Sequence, residues 1–422
     1  MRTVVLGGGE SGTGACLLAK KLGHEVFLSD KGSLSDKYRK VLTDNQIEFE
    51  EGGHSLDKIY NAGLVIKSPG IPDDNPVVKE LRRRGVEVIS EIEFAGRHSS
   101  AKMCCITGSN GKTTTTLLIK HIPQVAADAH PLYVIELSSF QLDGMFDFRA
   151  DVAVLTNITP DHLDRYDFKY ENYINSKFRI LQNMRSEDLF VYGYDSDAVR
   201  KKVQELDIVP AQALFTYLDK KDCAAYMDGN RLTARESGRV FSIDKNEISI
   251  KGRHNIYNAM CAVLACMRLG VDNEKIAEGL RSFPQVEHRL ETVLVKDGVT
   301  YINDSKATNV DSAWYALDSM TAPVVWIAGG KDKGNDYSVL YELVRKKVKA
   351  LVCMGLHNEK LIESFSPLCK VFDTDNLEDA VKAARNCAEP GDVVLLSPCC
   401  ASFDLFRSYE HRGEMFKQEV RK

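Results

Sequence analysis

At 422 residues the chain exceeds one ordinary hydrophobic core and calls for two or three domains. Its 44% hydrophobic and 27% charged residues describe a globular protein, and a formal charge of -5 with both signs interspersed excludes a broad cationic face for nucleic acid. Eleven cysteines follow no CxxC or disulfide spacing. No stretch approaches the ~20 apolar residues that span a bilayer, and the opening Thr3-Val4-Val5-Leu6 reads as a strand rather than a signal peptide. A cytoplasmic protein with free thiols, no nucleic-acid partner and no membrane partner is expected.

The first segment opens with that strand, a turn over Gly7-Gly8-Gly9-Glu10-Ser11-Gly12-Thr13-Gly14, a short helix from Ala15 to Lys21, and a strand from Glu25 to Leu28 that stops at Asp30. An acidic residue after the second strand of a βαβ unit suits a dinucleotide or a nucleoside diphosphate, and Asp30 is equally readable as a turn residue. Leu64-Val65-Ile66 predicts a further strand opening into Lys67-Ser68-Pro69-Gly70, on the side where ligand crevices lie, and the segment closes near Ile89 to Glu93.

The second segment carries the strongest signal. The apolar run Met103 to Ile106 leads into Thr107-Gly108-Ser109-Asn110-Gly111-Lys112-Thr113-Thr114, a P-loop variant shorter than the usual G-x-x-x-x-G-K-[ST]. Strand, glycine turn and helix in that order aim backbone N–H groups at a phosphate, so a nucleotide triphosphate is the expected ligand. Lys112 can reach the outer phosphates and the Thr113 hydroxyl can ligate Mg²⁺. Strands at Tyr133-Val134-Ile135-Glu136 and Val152 to Ile158, the latter followed by Asp161-His162, end in candidate metal ligands, with Glu136 the better match for a hard cation. Tyr170 to Met184 predicts a helix on which Lys177, lacking an i,i+4 carboxylate, reads by itself as a solvated lysine. Short runs over 211–250, including Arg239 to Ile243 and Glu247 to Ile250, predict appended antiparallel strands. The apolar helix from Ile256 to Leu269 carries Asn258 near its start, on the face of Asn255, where an amide can read a purine or simply cap the helix.

The third segment begins near Glu287-His288-Arg289 and alternates strands at 300–303, 324–328, 350–354 and 393–396 with helices at 309–319, 335–347, 376–387 and 403–417. Its strands end in Asp304-Ser305-Lys306-Ala307-Thr308, Gly329-Gly330-Lys331-Asp332-Lys333-Gly334 and Ser397-Pro398-Cys399-Cys400-Ala401-Ser402, lysines and hydroxyls suited to an anionic small molecule. The expected fold is therefore α/β with three domains: a Rossmann-like domain over 1–93, a central P-loop ATPase-like domain with appended small strands over 94–286, and a second Rossmann-like domain over 287–422.

The strings Ile106 to Thr114, Glu136-Leu137-Ser138-Ser139-Phe140-Gln141-Leu142, Asp161-His162-Leu163-Asp164-Arg165-Tyr166, Gly252-Arg253-His254-Asn255, His288-Arg289, Asn303 to Asn309 and Leu396-Ser397-Pro398 occur in register. Together they resemble the ATP-dependent Mur ligases of peptidoglycan precursor synthesis. The resemblance implies an enzyme that phosphorylates a carboxylate with ATP and Mg²⁺ and lets an amine displace the phosphate. Within the family the strings most resemble the member joining D-glutamate to UDP-N-acetylmuramoyl-L-alanine, and a monomer is expected. Carried over residue by residue, it puts Gly108, Asn110, Gly111, Lys112, Thr113, Thr114, Asn258, Arg289 and Asp304 around ATP. Thr113, Glu136, His162 and Lys177 fall to metal, with Lys177 at the position of a carbamylated lysine. Ser11, Asp30, Ser68, Pro69 and Gly70 should face the uridine diphosphate. Lys306, Thr308, Lys333, Ser402 and Tyr409 should surround D-glutamate, Tyr409 standing where near relatives carry Phe. Lys112, His162, Lys177, Arg289 and Lys306 are the catalytic candidates.

One departure stands out. Only ten residues, Pro123 to Leu132, join the P-loop helix to the next strand, where the family inserts a loop with Gly-Asn-x-Gly. Either that loop is shortened here, weakening the acceptor and metal site, or residues are missing from the chain.

Overall fold

The computed structural model describes residues 1–122, 132–284, 286–332 and 334–422. These form two compact units, one of Met1–Ser242 with Asn258–Ile276 and one of Ile243–Tyr257 with Ala277–Lys422.

The first unit contains two sheets. Strands β1 (Arg2–Leu6), β2 (Glu25–Asp30), β3 (Glu48–Glu51), β4 (Leu64–Lys67) and β5 (Glu87–Ser90) lie in the order β3-β2-β1-β4-β5, all parallel. Alternate residues feed opposite faces: Val5, Leu28 and Ile66 pack with Ala15 and Cys16 of the helix Glu10–Lys21, while Val4, Phe27 and Val65 pack with Val78 and Leu81 of the helix Pro76–Arg83. Burial on both sides is why these strands are continuous apolar runs rather than alternating ones. The strand order reverses between β1 and β4, so the glycine turn after β1 and the Ser68 turn after β4 flank one crevice. A Cβ on Gly7, which has φ +98°, would stand 2.8 Å from the Cβ of Ser68. The two turns touch, and only glycine lets them.

The second sheet comprises β6 (Lys102–Thr107), β7 (Leu132–Glu136), β8 (Val152–Leu155), β9 (Leu189–Gly193), β10 (Ala211–Phe215), β11 (Ala225–Asp228), β12 (Arg231–Glu236) and β13 (Arg239–Asp244), in the order β13-β12-β11-β10-β9-β8-β6-β7. Here the reversal falls between β6 and β8, and the P-loop follows β6. The two sheets of this unit are tied together by Glu93, whose buried carboxylate accepts the backbone N–H groups of Phe146, Asp147 and Phe148 at 2.9–3.0 Å and the Arg97 Nε at 2.7 Å. Burial pushes that carboxyl upward, but the bonds outweigh it and hold it below its ordinary range.

The second unit holds β14 (Glu291–Lys296), β15 (Val299–Asn303), β16 (Val324–Gly329), β17 (Val348–Met354), β18 (Lys370–Thr374) and β19 (Val393–Cys399), in the order β14-β15-β19-β16-β17-β18, with β14 antiparallel at one edge. Its central strands are buried on both faces, Trp326 towards one core and Val325 towards the other.

Two expectations for residues 211–250 are corrected. β10 runs parallel to both β9 and β11, so the antiparallel part is confined to the strands from β11 onwards. Glu247 to Ile250 is not a strand: the Ser249 N–H donates to Leu280 O and its hydroxyl to Phe283 O, so the segment seats against the end of the helix Asn273–Ser282. The helix expected to Met184 ends at Phe178 and continues as a 3-10 turn, Arg179–Leu181.

Candidate active site

Glycine geometry shapes the P-loop. Gly108 (φ +139°) and Gly111 (φ +87°) adopt backbone conformations that favour glycine. A side chain on the first would run into Thr156 Oγ1, and one on the second into Asn258 Oδ1. The loop is held from β8, since Thr156 Oγ1 donates to Asn110 O at 2.6 Å and the Asn110 N–H donates to Asn157 Oδ1 at 3.0 Å. Ser109 Oγ donates to Thr159 O at 2.9 Å and meets the Tyr173 hydroxyl at 3.1 Å. Gly111 caps the helix Lys112–His121, so its first N–H groups and its positive dipole end open at the loop. Lys112 Nζ bends over the loop, donating to Gly108 O at 2.9 Å and Ser109 O at 3.0 Å. Asn258 stands behind the same loop, where its Oδ1 accepts from Thr115 Oγ1 at 3.3 Å.

Lys177 overturns its reading as a solvated lysine. It is 2% exposed, its Nζ donates to Thr107 Oγ1 at 3.2 Å, and it lies 5.3 Å from the centroid of the Tyr173 ring. Burial first, and then the charge of Lys112, drive its amine well below the ordinary lysine range, against the opposing pull of Asp161, Glu136 and Asp143. A buried amine near the phosphate loop, within the electrostatic influence of three carboxylates, marks a candidate functional site.

His162 takes φ +54° at the start of the turn Leu163–Arg165. Its ring meets Phe140 edge-on at 5.2 Å, and its Nε2 lies 3.6 Å from Asp161 Oδ2. Glu136 sits at the end of β7, beside β6. No group of three or more His, Cys, Asp or Glu side chains able to hold a metal gathers among the described residues. The hard-oxygen set of Thr113, Glu136 and the neighbouring carboxylates nonetheless has the chemistry Mg²⁺ takes, usually with waters and substrate phosphates completing the shell.

In the first sheet Asp30 grips the glycine turn, its Oδ2 accepting the Gly8 N–H at 2.6 Å and its Oδ1 the Gly32 N–H at 2.7 Å. Ser11 is exposed in the first turn of the following helix, and Ser68, Pro69 and Gly70 line the opposite side of the crevice.

The second unit brings its own candidates together. Asp304 is buried, accepting from Ser397 Oγ at 2.8 Å and from the Leu290 N–H at 3.2 Å. Burial pushes its carboxyl up to about 7, against the pull of Arg289. Arg289 in turn helps burial lower His254 to about 3. Lys306 Nζ lies 5.1 Å from the centroid of the Tyr409 ring, Ser402 is buried at the end of the β19 loop, and Thr308 is half-buried two residues beyond Lys306. Lys333 and the short connection after the P-loop helix, residues 123–131, lie outside the described residues.

Sequence reasoning missed Thr107 and Tyr173, which hold Lys177, and Arg412, which holds the loops of the second unit. Tyr173 was findable, being one helical turn before Lys177 on the same face. Arg412 sits among charged helix residues with no pattern to set it apart.

Doubly wound parallel sheets with a glycine phosphate loop at one reversal of strand order define a nucleotide-binding α/β protein of the P-loop type. Family models match the chain in sequence: the MurD N-terminal domain at residues 2–77, the Mur ligase middle domain at 122–266, and the Mur ligase glutamate ligase domain at 288–400. A UDP-N-acetylmuramoylalanine--D-glutamate ligase of Bacteroides fragilis is 50% identical over 443 aligned positions, which cover 100% of this chain and 99% of that protein. One from Christiangramia forsetii is 45% identical, again with 100% and 99% covered. Of solved structures, the UDP-N-acetylmuramate-alanine ligase MurC of Thermotoga maritima matches with a TM-score of 0.62 at 19% identity, covering 100% of this chain and 99% of that one, a likeness of fold alone. The chain belongs to the Mur ligase family and has its three-domain architecture. Set against 443 aligned positions, the 422 residues here leave at least 21 residues of the Bacteroides protein without a counterpart.

Proposed function

We propose that the chain forms the amide bond between D-glutamate and the terminal carboxylate of UDP-N-acetylmuramoyl-L-alanine, using ATP, in peptidoglycan precursor synthesis. The observation that carries this reading is the 50% identity, along the whole chain, to an enzyme named for that reaction. The geometry supports it. A carboxylate is a poor electrophile, and its phosphorylation demands neutralisation of the charge spread over the phosphoryl group in flight. Lys112 and the N–H groups opening the helix Lys112–His121 supply that neutralisation from preorganised positions. Mg²⁺, held by Thr113, Glu136, His162 and Lys177, would add Lewis-acid charge at the same phosphates.

The finer assignments are part of the proposal. Domain limits at 1–93, 94–286 and 287–422 give the nucleotide-sugar, ATP and amino-acid sites a sheet each. A neutral amine at Lys177 is the form that adds CO₂, and the resulting carbamate is an anion suited to a metal. Asn258 would face the purine. Arg289 and Asp304 would meet the γ-phosphate and ribose, Asp304 being able to donate as well as accept a hydrogen bond because burial raises it to about 7 and leaves about half of it protonated at that pH. Ser11, Asp30 and the 68–70 turn would face the uridine diphosphate, and Lys306, Thr308, Lys333, Ser402 and Tyr409 the acceptor. A cytoplasmic monomer completes the reading; among the described residues no helix is long and apolar enough to cross a membrane.

A coupled assay with purified substrates tests it. ADP and phosphate should appear only when UDP-N-acetylmuramoyl-L-alanine and D-glutamate are both present. Equal ATP turnover without either, or preference for another amino acid, would reject it.

A further inference from the structure

The helix Tyr409–Arg421 delivers one buried guanidinium to three loop ends of its sheet. Arg412 is 1% exposed. Its Nε donates to Ser305 Oγ at 3.0 Å, its Nη2 to Ser305 O at 2.9 Å and to Cys400 O at 3.2 Å, and its Nη1 to Cys400 O at 3.2 Å and Gly329 O at 3.4 Å. A guanidinium has five N–H donors, and all five point at these oxygens. Ser305 follows β15, Gly329 ends β16 and Cys400 follows β19, so one side chain ties together the C-terminal ends of three neighbouring parallel strands.

The approach is built into the backbone on both sides. A Cβ on Gly330 would run into Ala401 O and come within 3.3 Å of Arg412 Nη1, and a Cβ on Gly413 would run into His288. Ser305 Oγ donates onward to Tyr409 O at 2.8 Å, closing the link between loop and helix. Burial lowers the guanidinium to about 10, which leaves it charged at neutral pH.

We infer that Arg412 is a positioning residue for the amino-acid acceptor: by fixing the loops after β15, β16 and β19 against one another, it sets the spacing of Lys306, Thr308 and Ser402. It is too buried to touch a ligand and acts through these loops. The planar five-donor fork is what the site requires; a lysine carries the charge but only three donors from a single point. The inference rests on reading this crevice as the acceptor site.

The test is steady-state kinetics of the full chain with each substrate varied in turn, on the wild type, Arg412→Lys, Arg412→Gln and Ser305→Ala. Both Arg412 variants should raise KM for D-glutamate by about tenfold or more while KM for ATP and for the nucleotide-sugar stays within about twofold. Ser305→Ala, which keeps the arginine and removes one of its partners, should move the same constant in the same direction by about threefold, and it carries the test if the arginine variants are insoluble. Added guanidinium should restore part of the loss in Arg412→Gln. An Arg412→Lys enzyme with unchanged KM for D-glutamate, equal shifts in all three constants, or a loss of stability with wild-type constants would each overturn the inference. If the wild type prefers another amino acid, the acceptor reading fails instead, and the shift is then read on that amino acid's KM.

Discussion

Lys177 has the largest gap between its appearance in sequence and its place in the fold. Seen as one basic residue on an amphipathic helix it is solvated, yet the fold closes over it and gives it Thr107 and Tyr173 as neighbours. Below the ordinary lysine range the unfolded chain protonates this amine and the folded chain resists doing so, so its burial opposes folding more strongly as pH falls. Lys177→Met is therefore expected to stabilise the fold by about 1 kcal/mol or more, seen in denaturant midpoints, while abolishing turnover. If the carbamate serves as an anion, Lys177→Ala should regain some activity in a short-chain carboxylate buffer; no rescue would argue against that role. Asp304 has the opposite sign. Its folded value of about 7 lies above 3.8, so its contribution to stability is complete below the unfolded value and is lost as pH rises through 7. Asp304→Asn should flatten the fall in nucleotide-free stability between pH 5 and pH 8, and an unchanged slope would refute the assignment. For Lys112→Ala the expectation is a loss of about 100-fold or more in kcat, with binding of the UDP-substrate by calorimetry retained.

Among elements, the central strands and the P-loop helix were legible because burial on both faces writes apolar runs that few other structures need. Two of the edge strands were not. β3 reads Glu48-Phe49-Glu50-Glu51 and β18 reads Lys370-Val371-Phe372-Asp373-Thr374; each borders one neighbour and is half solvated, so neither pattern nor length marks it. Glu247 to Ile250 alternates as a strand should and is none, because its backbone finds partners at a helix end instead. The helix Glu91–Arg97 carries the residue joining two sheets, although the sequence there reads only as the close of the first segment. Glu93→Ala would leave three N–H groups, the Phe148 one buried and those of Phe146 and Asp147 part-buried, without their acceptor and should cost about 2 kcal/mol or more, measured by chemical denaturation.

On the scale of the whole molecule, the seven strings in register disclosed the family before any coordinate, and with it the glycine loop that the fold sets at a reversal of strand order. What stayed hidden was the supporting layer, Thr107 and Arg412 among it, because residues that hold other residues carry no signature of spacing. Division into two units predicts two calorimetric transitions. UDP at a hundred times its Kd should raise the stability of the unit carrying β1–β5 by about 2.7 kcal/mol and leave the other transition in place; a single transition moving as one would contradict that division. The absent side chain of Gly111 has a consequence of its own. Asn258 occupies the space it leaves, and the same Oδ1 accepts from Thr115 Oγ1 of the P-loop helix, 143 positions earlier in the chain. With Asn258 facing the purine as proposed, discrimination between adenine and guanine would be mechanically linked to the seating of the triphosphate, and Gly111→Ala is expected to show relaxed base preference together with slower catalysis, two symptoms from one methyl group.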